Sequence, residues 1–284
     1  MELGVGTAVS VAAAPRADAP QRAITEHILA LADRAGYGAA LIDAESATVT
    51  TWPRFAATVR AAARGLSRRG LLDTDAAGVL VADAVSHVVA IHAVRAAGAM
   101  AVPIDPAGSS AADIAAQLKQ CRARVLITSA EVAEVAIQAA ERSWVRQVYA
   151  FGEAEETTPF SDLLETAKHS HRAGHSEGAG HSNGAGHNGQ GEAAAGFAVA
   201  PIAGLAGPVL RLTSRDVVVA GPPCGRNGTY TALLDLALSA GATIVAATAE
   251  QVAAAVQAYK GTAAIVPRGT GIPALPARRI LTVA

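Results

Sequence analysis

The chain has 284 residues, of which 51% are hydrophobic and 17% charged, so it can bury one large core or two smaller ones. Its 23 basic and 24 acidic residues give a formal net charge of −1, which excludes the strongly basic surface typical of proteins that bind nucleic acid or anionic membranes. Aromatic residues make up only 4% of the chain, which disfavours a surface for stacking bases or sugars.

Residues 1–20 are predicted to form a flexible N-terminal tail. Glu2 is acidic, whereas an export signal carries basic residues near its start, and Pro15 ends the apolar part of the tail. These features disfavour an export signal. The longest uncharged apolar stretch, 193–210, is interrupted by Gly and Pro residues, so we predict no membrane segment.

The two cysteines, Cys121 and Cys224, are far apart in the sequence. They cannot form a disulfide framework or a zinc site by themselves. Their small number suits a reducing compartment, and we therefore expect a cytoplasmic protein.

Helical and β-type patterns alternate over residues 21–167, which we predict to be a first α/β subdomain. A helix at 21–35 precedes a hairpin with strands at 40–43 and 48–51. The next elements in chain order are a helix at 53–70, a strand at 78–82, a helix at 84–97, a strand at 100–104, a helix at 111–121, a strand at 124–128, a helix at 130–142 and a strand at 147–151. This alternation predicts an α/β fold with mostly parallel sheets and helices on both faces.

Residues 168–196 interrupt the pattern with His, Gly, Ser, Asn and Ala, including three near-copies of one hexapeptide. Such a segment has almost nothing apolar to bury, so we predict a disordered linker that is dispensable for folding. Its histidines could chelate Zn²⁺ or Ni²⁺, but no fixed ligand geometry is evident, and we favour a segment without metal. These histidines are His169, His171, His175, His181 and His187.

Residues 197–284 resume the alternation and are predicted to form a second, incomplete α/β subdomain. The predicted elements are a strand at 216–220, a helix at 230–240, a strand at 242–246, a helix at 249–260 and strands at 263–267 and 279–283. Because the last strand is apolar and ends the chain, we expect an incompletely covered edge of the sheet. We expect self-association or a protein partner at that edge.

Several of these segments resemble the adenylate-forming superfamily, which comprises acyl- and aryl-CoA synthetases and adenylation domains. The most specific is VRAAGAMAVPIDP at 94–106, where a helix ends on Ala-Gly and a strand runs into Pro-x-Asp-Pro. Gly98 is expected to supply the left-handed helix stop. The other similar segments are 40–43, 63–70, 118–127, 216–223, 233–245 and 278–281. The resemblance implies the fold of the N-terminal subdomains of these enzymes, in truncated form.

The resemblance also implies ATP-dependent ligase chemistry with Mg²⁺ and CoA, and the sequence departs from it at the phosphate-binding loop. The family loop has the form Thr-Ser-Gly-Thr-Thr-Gly-x-Pro-Lys-Gly, and it should lie between the strands at 147–151 and 216–220. No Ser, Thr or Lys occurs between Gly191 and Leu212. We therefore expect none of these cofactors to be used and assign no catalytic, cofactor-binding or metal-binding residue.

Further parts of the family pattern are also missing. The aromatic–His pair that the resemblance implies at the acyl pocket is replaced by Pro223 and Cys224. The Tyr-Gly-x-Thr-Glu segment, the ribose-binding Asp, the hinge and the late Lys would all lie beyond Ala284.

Three further candidates for a site receive structural interpretations. Cys224 has Arg226 nearby to lower its pKa but no neighbouring His, so an ordinary turn cysteine is favoured over a nucleophile. The Gly-rich stretch 268–271 lacks the context of a phosphate loop. His87 and His92 are five residues apart on one helix, a spacing that disfavours a shared metal, and we expect core or surface histidines.

Two hypotheses of function remain. The first is a non-catalytic, truncated acyl-CoA synthetase-like protein that acts as a binding or partner module. The second is an acyl- or aryl-CoA ligase completed by another polypeptide. The lost loop favours the first, because a split enzyme would be expected to keep its phosphate-binding residues.

Overall fold

The computed structural model describes residues 19–165, 211–225, 228–267 and 279–283. The predicted linker at 168–196 and residues 1–18 of the predicted tail lie outside the described residues. Ala19 and Pro20, which the sequence assigns to the tail, are the first residues of a helix.

Helices and strands alternate along the described residues. The helices are α1 (Ala19–Ala32), α2 (Trp52–Arg68), α3 (Ala84–Ala96), α4 (Ala111–Gln120), α5 (Ala133–Glu141), α6 (Thr229–Ser239) and α7 (Val252–Ala258). The strands are β1 (Ala39–Asp43), β2 (Val49–Thr51), β3 (Ala76–Leu80), β4 (Met100–Pro103), β5 (Ala123–Ser129), β6 (Gln147–Phe151), β7 (Thr158–Pro159), β8 (Val217–Ala220), β9 (Thr243–Ala246), β10 (Ala263–Pro267) and β11 (Arg279–Val283).

The strands form two sheets, in the orders β11-β10-β8-β9-β1-β2 and β4-β3-β5-β6-β7. Among the strands in the described part of the chain, the predicted hairpin of β1 and β2 is antiparallel and all other pairs are parallel. The predicted α/β class with mostly parallel sheets is therefore confirmed. Because β1 and β2 join strands from the far end of the chain, the six-stranded sheet includes residues from both predicted subdomains. The division into 21–167 and 197–284 stays a prediction.

A layer of helices packs between the two sheets. Side chains that alternate along the strands point to opposite faces, so Val79 and Ile127 enter the central core while Leu80 and Leu126 face α4 and α5. On the six-stranded sheet, Val218 faces the central core and alternate strand residues pack against α7. The central helix α3 is buried over most of its length, as a helix that is apolar on all sides must be.

Local sequence signals explain where several helices begin and end. Asp83 caps α3 by accepting a hydrogen bond from the Ser86 amide, and Ser110 and Asp113 form a reciprocal capping box at α4. Gly98 has a φ of 91°, which confirms the predicted left-handed stop after α3.

The structure differs from the sequence-based expectation mainly at short elements. The two-residue strand β7 and the 3₁₀ turn at Phe160–Leu163 were not predicted, because neither is long enough to show a periodic pattern. The seven-residue helix α7 is shorter than the predicted 249–260. Among the described residues, no helix is both long and apolar enough to cross a bilayer.

Candidate functional site

The candidate site lies where the carboxyl ends of parallel strands from both sheets meet. The loop after β8 reaches the loop after β4, because the Gly225 amide donates a 2.9 Å hydrogen bond to Asp105 Oδ2. In open α/β sheets, ligands bind in the crevice beyond the carboxyl ends of the strands. We refer to this region as the strand-end crevice.

The two aspartates at the strand-end crevice hold backbone in place. Asp105 also accepts a 2.8 Å hydrogen bond from the Ala107 amide through Oδ1, so each of its carboxylate oxygens has a backbone partner. Asp83 accepts a 2.8 Å bond from the Ser86 amide and occupies the N-terminus of α3. A carboxylate at that position fills the place where an anionic ligand would otherwise be favoured.

Of the seven described segments that follow the parallel strands, six carry acidic side chains and none carries Lys or Arg. These segments are 44–47, 81–83, 104–110, 130–132, 152–157, 221–225 and 247–251. Transfer of a nucleotidyl group requires cationic groups and aligned donors around the phosphates. The described segments of the crevice therefore supply none of these cationic groups.

Cys224 is half-buried beside Asp105. Burial and the negative charge of Asp105 raise the pKa of the Cys224 thiol to about 11, so the thiol stays protonated at neutral pH. Because the thiolate is the nucleophilic form, this environment argues against covalent catalysis and supports the turn-cysteine interpretation. Arg226, the residue considered as a partner of this thiol, lies outside the described residues.

Tyr230 anchors the loop after β8 to α6. Its hydroxyl donates a 2.6 Å hydrogen bond to the carbonyl of Gly221, and its ring lies edge-to-face with His87 at 5.3 Å between centroids. Burial, followed by Cys224 once its thiol ionises and by the negative charge of Asp83, raises the pKa of Tyr230 well above its ordinary value. Tyr230 therefore remains a protonated anchor.

A buried polar network lies between α1, α3 and α6. Arg95 Nη1 donates a 2.8 Å hydrogen bond to Asp235 Oδ2, and His92 Nε2 lies 3.5 Å from Asp235 Oδ1. On its other side, His92 Nδ1 is 2.9 Å from the hydroxyl of Thr25. A neutral His92 with its proton on Nε2 can point that proton at Asp235 and accept from Thr25.

The pKa directions in this network follow from burial. Burial raises the pKa of Asp235, although its contact with Arg95 acts in the opposite direction. Burial and the charge of Arg95 lower the pKa of His92 well below its ordinary value. His92 is thus neutral at physiological pH, and Arg95 and Asp235 carry the charges of the network.

His87 also belongs to the core. Its Nε2 lies 2.8 Å from the hydroxyl of Thr231, and burial followed by the charges of Arg95 and His92 lowers its pKa to about 3. Among the described residues, His87 Nδ1 and Arg95 Nε are buried without a hydrogen-bond partner. The sequence left both α3 histidines as core or surface residues, and the structure shows that both are in the core.

The described residues contain no group of three or more His, Cys, Asp or Glu side chains that could hold a metal ion. Three predicted features lie outside the described residues: the linker histidines, residues 166–210 of the region where the phosphate loop was expected, and the Gly-rich stretch 268–271.

Sequence reasoning did not identify the Arg95–Asp235 pair, whose members are 140 residues apart. The available signal was a single charged residue on each of two otherwise apolar helices. A buried charge needs a partner of opposite charge, so each of these residues predicts that a partner exists. Neither residue shows which one it is.

Comparison with known proteins agrees with this fold. The family model described as AMP-binding enzyme matches residues 31–183, which is more than half of the chain. A comparison with curated protein sequences gave no significant match.

Solved structures with the same fold include ligases. A long-chain-fatty-acid-CoA ligase from Archaeoglobus fulgidus is 16% identical with a TM-score of 0.63, over 87% of this chain and 51% of its own. A benzoate CoA ligase from Burkholderia xenovorans is 19% identical with a TM-score of 0.61, over 90% and 53%. A fatty acyl CoA synthetase from Mycobacterium tuberculosis is 13% identical with a TM-score of 0.64, over 93% and 55%.

The chain spans about half the length of these three proteins. At such low sequence identity, the similarity to these structures supports the fold alone. The relationship in sequence is shown by the family model. With the matched residues forming β1 through β7 and the helices between them, the chain belongs to the AMP-binding enzyme family.

Proposed function

We propose that these 284 residues form a non-catalytic, acyl-CoA synthetase-like module that binds a ligand or a protein partner. One observation carries the proposal: between Gly191 and Leu212 the sequence contains no Ser, Thr or Lys. Those are the side chains that the family resemblance requires in the phosphate-binding loop of this region. Without them, the charge that develops on the phosphates during adenylation is not stabilised.

The charges of the strand-end crevice support the same proposal. Its described segments contribute carboxylates and no cation, and the oxygens of Asp105 are already engaged by backbone amides. The Cys224 thiol is protonated and Tyr230 is buried, so neither supplies a nucleophile.

The alternative is an acyl- or aryl-CoA ligase that another polypeptide completes. This alternative is favoured by the family fold and by the fact that the chain spans about half the length of related ligases. The two candidates differ in ATP binding, because a ligase completed in this way would keep its phosphate-binding residues on this chain.

Exchange of pyrophosphate into ATP tests the proposal directly. The purified chain, with Mg²⁺ and a panel of fatty, aryl and amino acids, should give background exchange. Losing one transition-state donor typically costs ~10²–10³ in rate, and here several are missing together. Calorimetric titration with Mg·ATP should likewise show no binding.

Exchange above background would contradict the proposal, provided that it disappears when residues 192–215 are deleted and the deletion variant still folds by circular dichroism. Binding of Mg·ATP without exchange would favour the split ligase. A purified, active acyl-CoA ligase serves as the positive control in both assays.

A partner strand at the edge of the six-stranded sheet is a second part of the proposal. The edge strand β11 pairs with β10 over five residues, and its other side has no strand partner among the described residues. Unpaired edges bind other strands through their backbone groups. Sedimentation at ~1 M salt, where exposed charges are screened, should still show self-association if β11 is responsible. A monomer at tens of micromolar would count against this part.

A further inference from the structure

The surface between α1 and α2 carries a basic groove. Its volume is about 550 Å³, and Arg60, Arg64 and Arg68 line it on successive turns of α2. Its lining also includes the apolar Leu29 and Ala63 and one acidic residue, Glu26, which is already paired with Arg22 at 2.9 Å.

Two of the three arginines in the basic groove lack an acidic partner among the described residues. Arg60 is neutralised by Asp33, to which it donates two hydrogen bonds of 2.8 and 2.7 Å. Arg68 donates only to the carbonyl oxygen of Glu165, at 2.7 Å, and Arg64 makes no hydrogen bond or ion pair within the described chain. Like charges one helical turn apart repel each other, so an incoming carboxylate would be favoured here.

An acidic loop connects β6 and β7. This loop, residues 152–157, carries Glu153, Glu155 and Glu156, all of them exposed. A hydrogen bond of 2.8 Å from the Thr157 hydroxyl to the Ala154 carbonyl holds its turn. The three glutamates make no ion pair within the described residues.

The acidic loop also borders a groove of about 490 Å³, on whose opposite side lie Glu134 and Glu141 of α5. No Lys or Arg lines this acidic groove. Opposite charges are thus separated onto two surfaces, although the whole chain is nearly neutral, with a net charge of −1. Near-neutrality means that two copies do not repel each other strongly at long range.

We propose that the acidic loop of one copy binds in the basic groove of a second copy. The three loop glutamates are exposed, and their carboxylates are complementary in charge to Arg64 and Arg68 of the groove. The contact joins different surfaces on the two copies, so each added copy leaves one free groove and one free loop. This inference goes beyond the proposed function and does not depend on it.

The association should be weak and strongly dependent on salt. Exposed ion pairs contribute little individually, so we expect dissociation constants of ~10–1,000 μM. The Debye length falls from about 10 Å at 0.1 M to about 3 Å at 1 M salt, which should abolish the contact. The complexes should grow with concentration instead of stopping at a dimer.

A charge-swap experiment tests the proposal by sedimentation velocity of the full chain at ~20 mM and ~1 M salt. The R64E/R68E variant and the E153R/E155R variant should each lose the association that depends on salt, because groove and loop then carry the same charge. Mixing the two variants should restore association, because each altered surface then meets a complementary one. All four side chains are exposed, and circular dichroism should confirm that both variants fold.

The matched control is R124E/R146E, which makes the same change in net charge at two other exposed arginines. The control should associate like the unaltered chain. Any one of four results would overturn the proposal: a monomeric unaltered chain at low salt, association of equal strength at both salt concentrations, loss of association in the control, or failure of the mixture to regain the salt-sensitive association. Association of equal strength at both salt concentrations would identify the β11 edge as the only contact between copies.

Discussion

Two charged side chains, Arg95 and Asp235, lie in a core that is otherwise largely apolar. Both are less than a tenth exposed, and their 2.8 Å hydrogen bond joins α3 to α6. A buried ion pair contributes little net stability compared with an apolar pair, because both charges lose their hydration. Removing one partner is costly, however, since the remaining charge stays buried without compensation.

Replacing Asp235 by Ala should therefore lower the free energy of unfolding by about 3–5 kcal/mol. Replacing both residues with apolar side chains, in R95M/D235L, should recover most of this loss. Urea-induced unfolding measures the free energy of all variants. The control D33A removes the partner of Arg60 in a largely exposed pair and should change stability little. If D235A were as stable as D33A, the hydrogen-bonded Arg95–Asp235 pair would not be buried in the folded protein.

Acid should destabilise the protein through the α3 histidines. The pKa of His87 is about 3 in the folded chain and that of His92 is also lowered, against an ordinary value of 6.5. Below pH 6.5 the unfolded chain therefore binds more protons at these sites, so stability falls as the pH drops; the contribution of His87 extends from pH 6.5 towards pH 3, and that of His92 has the same sign. Burial raises the pKa of Asp235, which opposes this trend above pH 3.8.

Urea unfolding between pH 7 and pH 5 measures this dependence. The H87Q/H92Q variant should be less stable at pH 7, because it loses packing, but its stability should depend less steeply on pH. The slope distinguishes titration from packing. An unchanged slope would mean that other groups cause the acid sensitivity.

At the scale of elements, the contact between α2 and the turn at Phe160–Leu163 depends on a glycine. A Cβ built on Gly65 would collide with the backbone of Leu163. Arg69 reinforces the contact by donating a 3.4 Å hydrogen bond to the carbonyl of Asp162. Glycine usually weakens a helix interior, but here it permits the close approach.

The G65A variant should thus be destabilised by about 1–3 kcal/mol, because backbone atoms have to move. Gly38 provides the matched control, since a Cβ there would meet only ordinary van der Waals contacts, beginning at 3.7 Å from the Trp52 ring. Thermal unfolding followed by circular dichroism should show a lower midpoint for G65A than for G38A. Equal midpoints would contradict the close packing of α2 on this turn.

At the scale of the whole molecule, the composition of residues 168–196 predicts a segment that contributes nothing to folding. Ordering a residue costs roughly 1–2 kcal/mol of backbone entropy, and Gly, Ser and His side chains offer little apolar burial to offset it. The segment lies outside the described residues, so this remains a prediction from sequence.

Limited proteolysis should cut first between Lys168 and Ala195. Deletion of 168–196 should leave the thermal unfolding midpoint nearly unchanged, because loop-closure entropy depends only weakly on length. Protection of the segment from protease, or unfolding of the deletion variant, would show that it packs against the rest of the chain.

The strand-end crevice could be located from the sequence only as the general region beyond parallel strands. The segment that contains Asp105 was recognised from its family pattern. Its bond to Gly225, 120 residues later, appears only in the folded chain. The sequence also indicated Cys224, but its surroundings, which decide its pKa, come from distant residues.

The sequence by itself determined the order of the elements, the parallel α/β class and the family. Alternation of helical and β periods is local, and capping residues such as Asp83 and Ser110 act within a few residues. The tertiary structure decided which strands share a sheet: β1 lies beside β9 rather than β3, and β2 follows β1 at the edge. It also paired Arg95 with Asp235 and separated the charges into a basic groove and an acidic loop. These features depend on contacts between residues that are far apart in the chain. Such contacts form because the folded chain buries particular side chains together, and the local periodicity of the sequence carries no information about them.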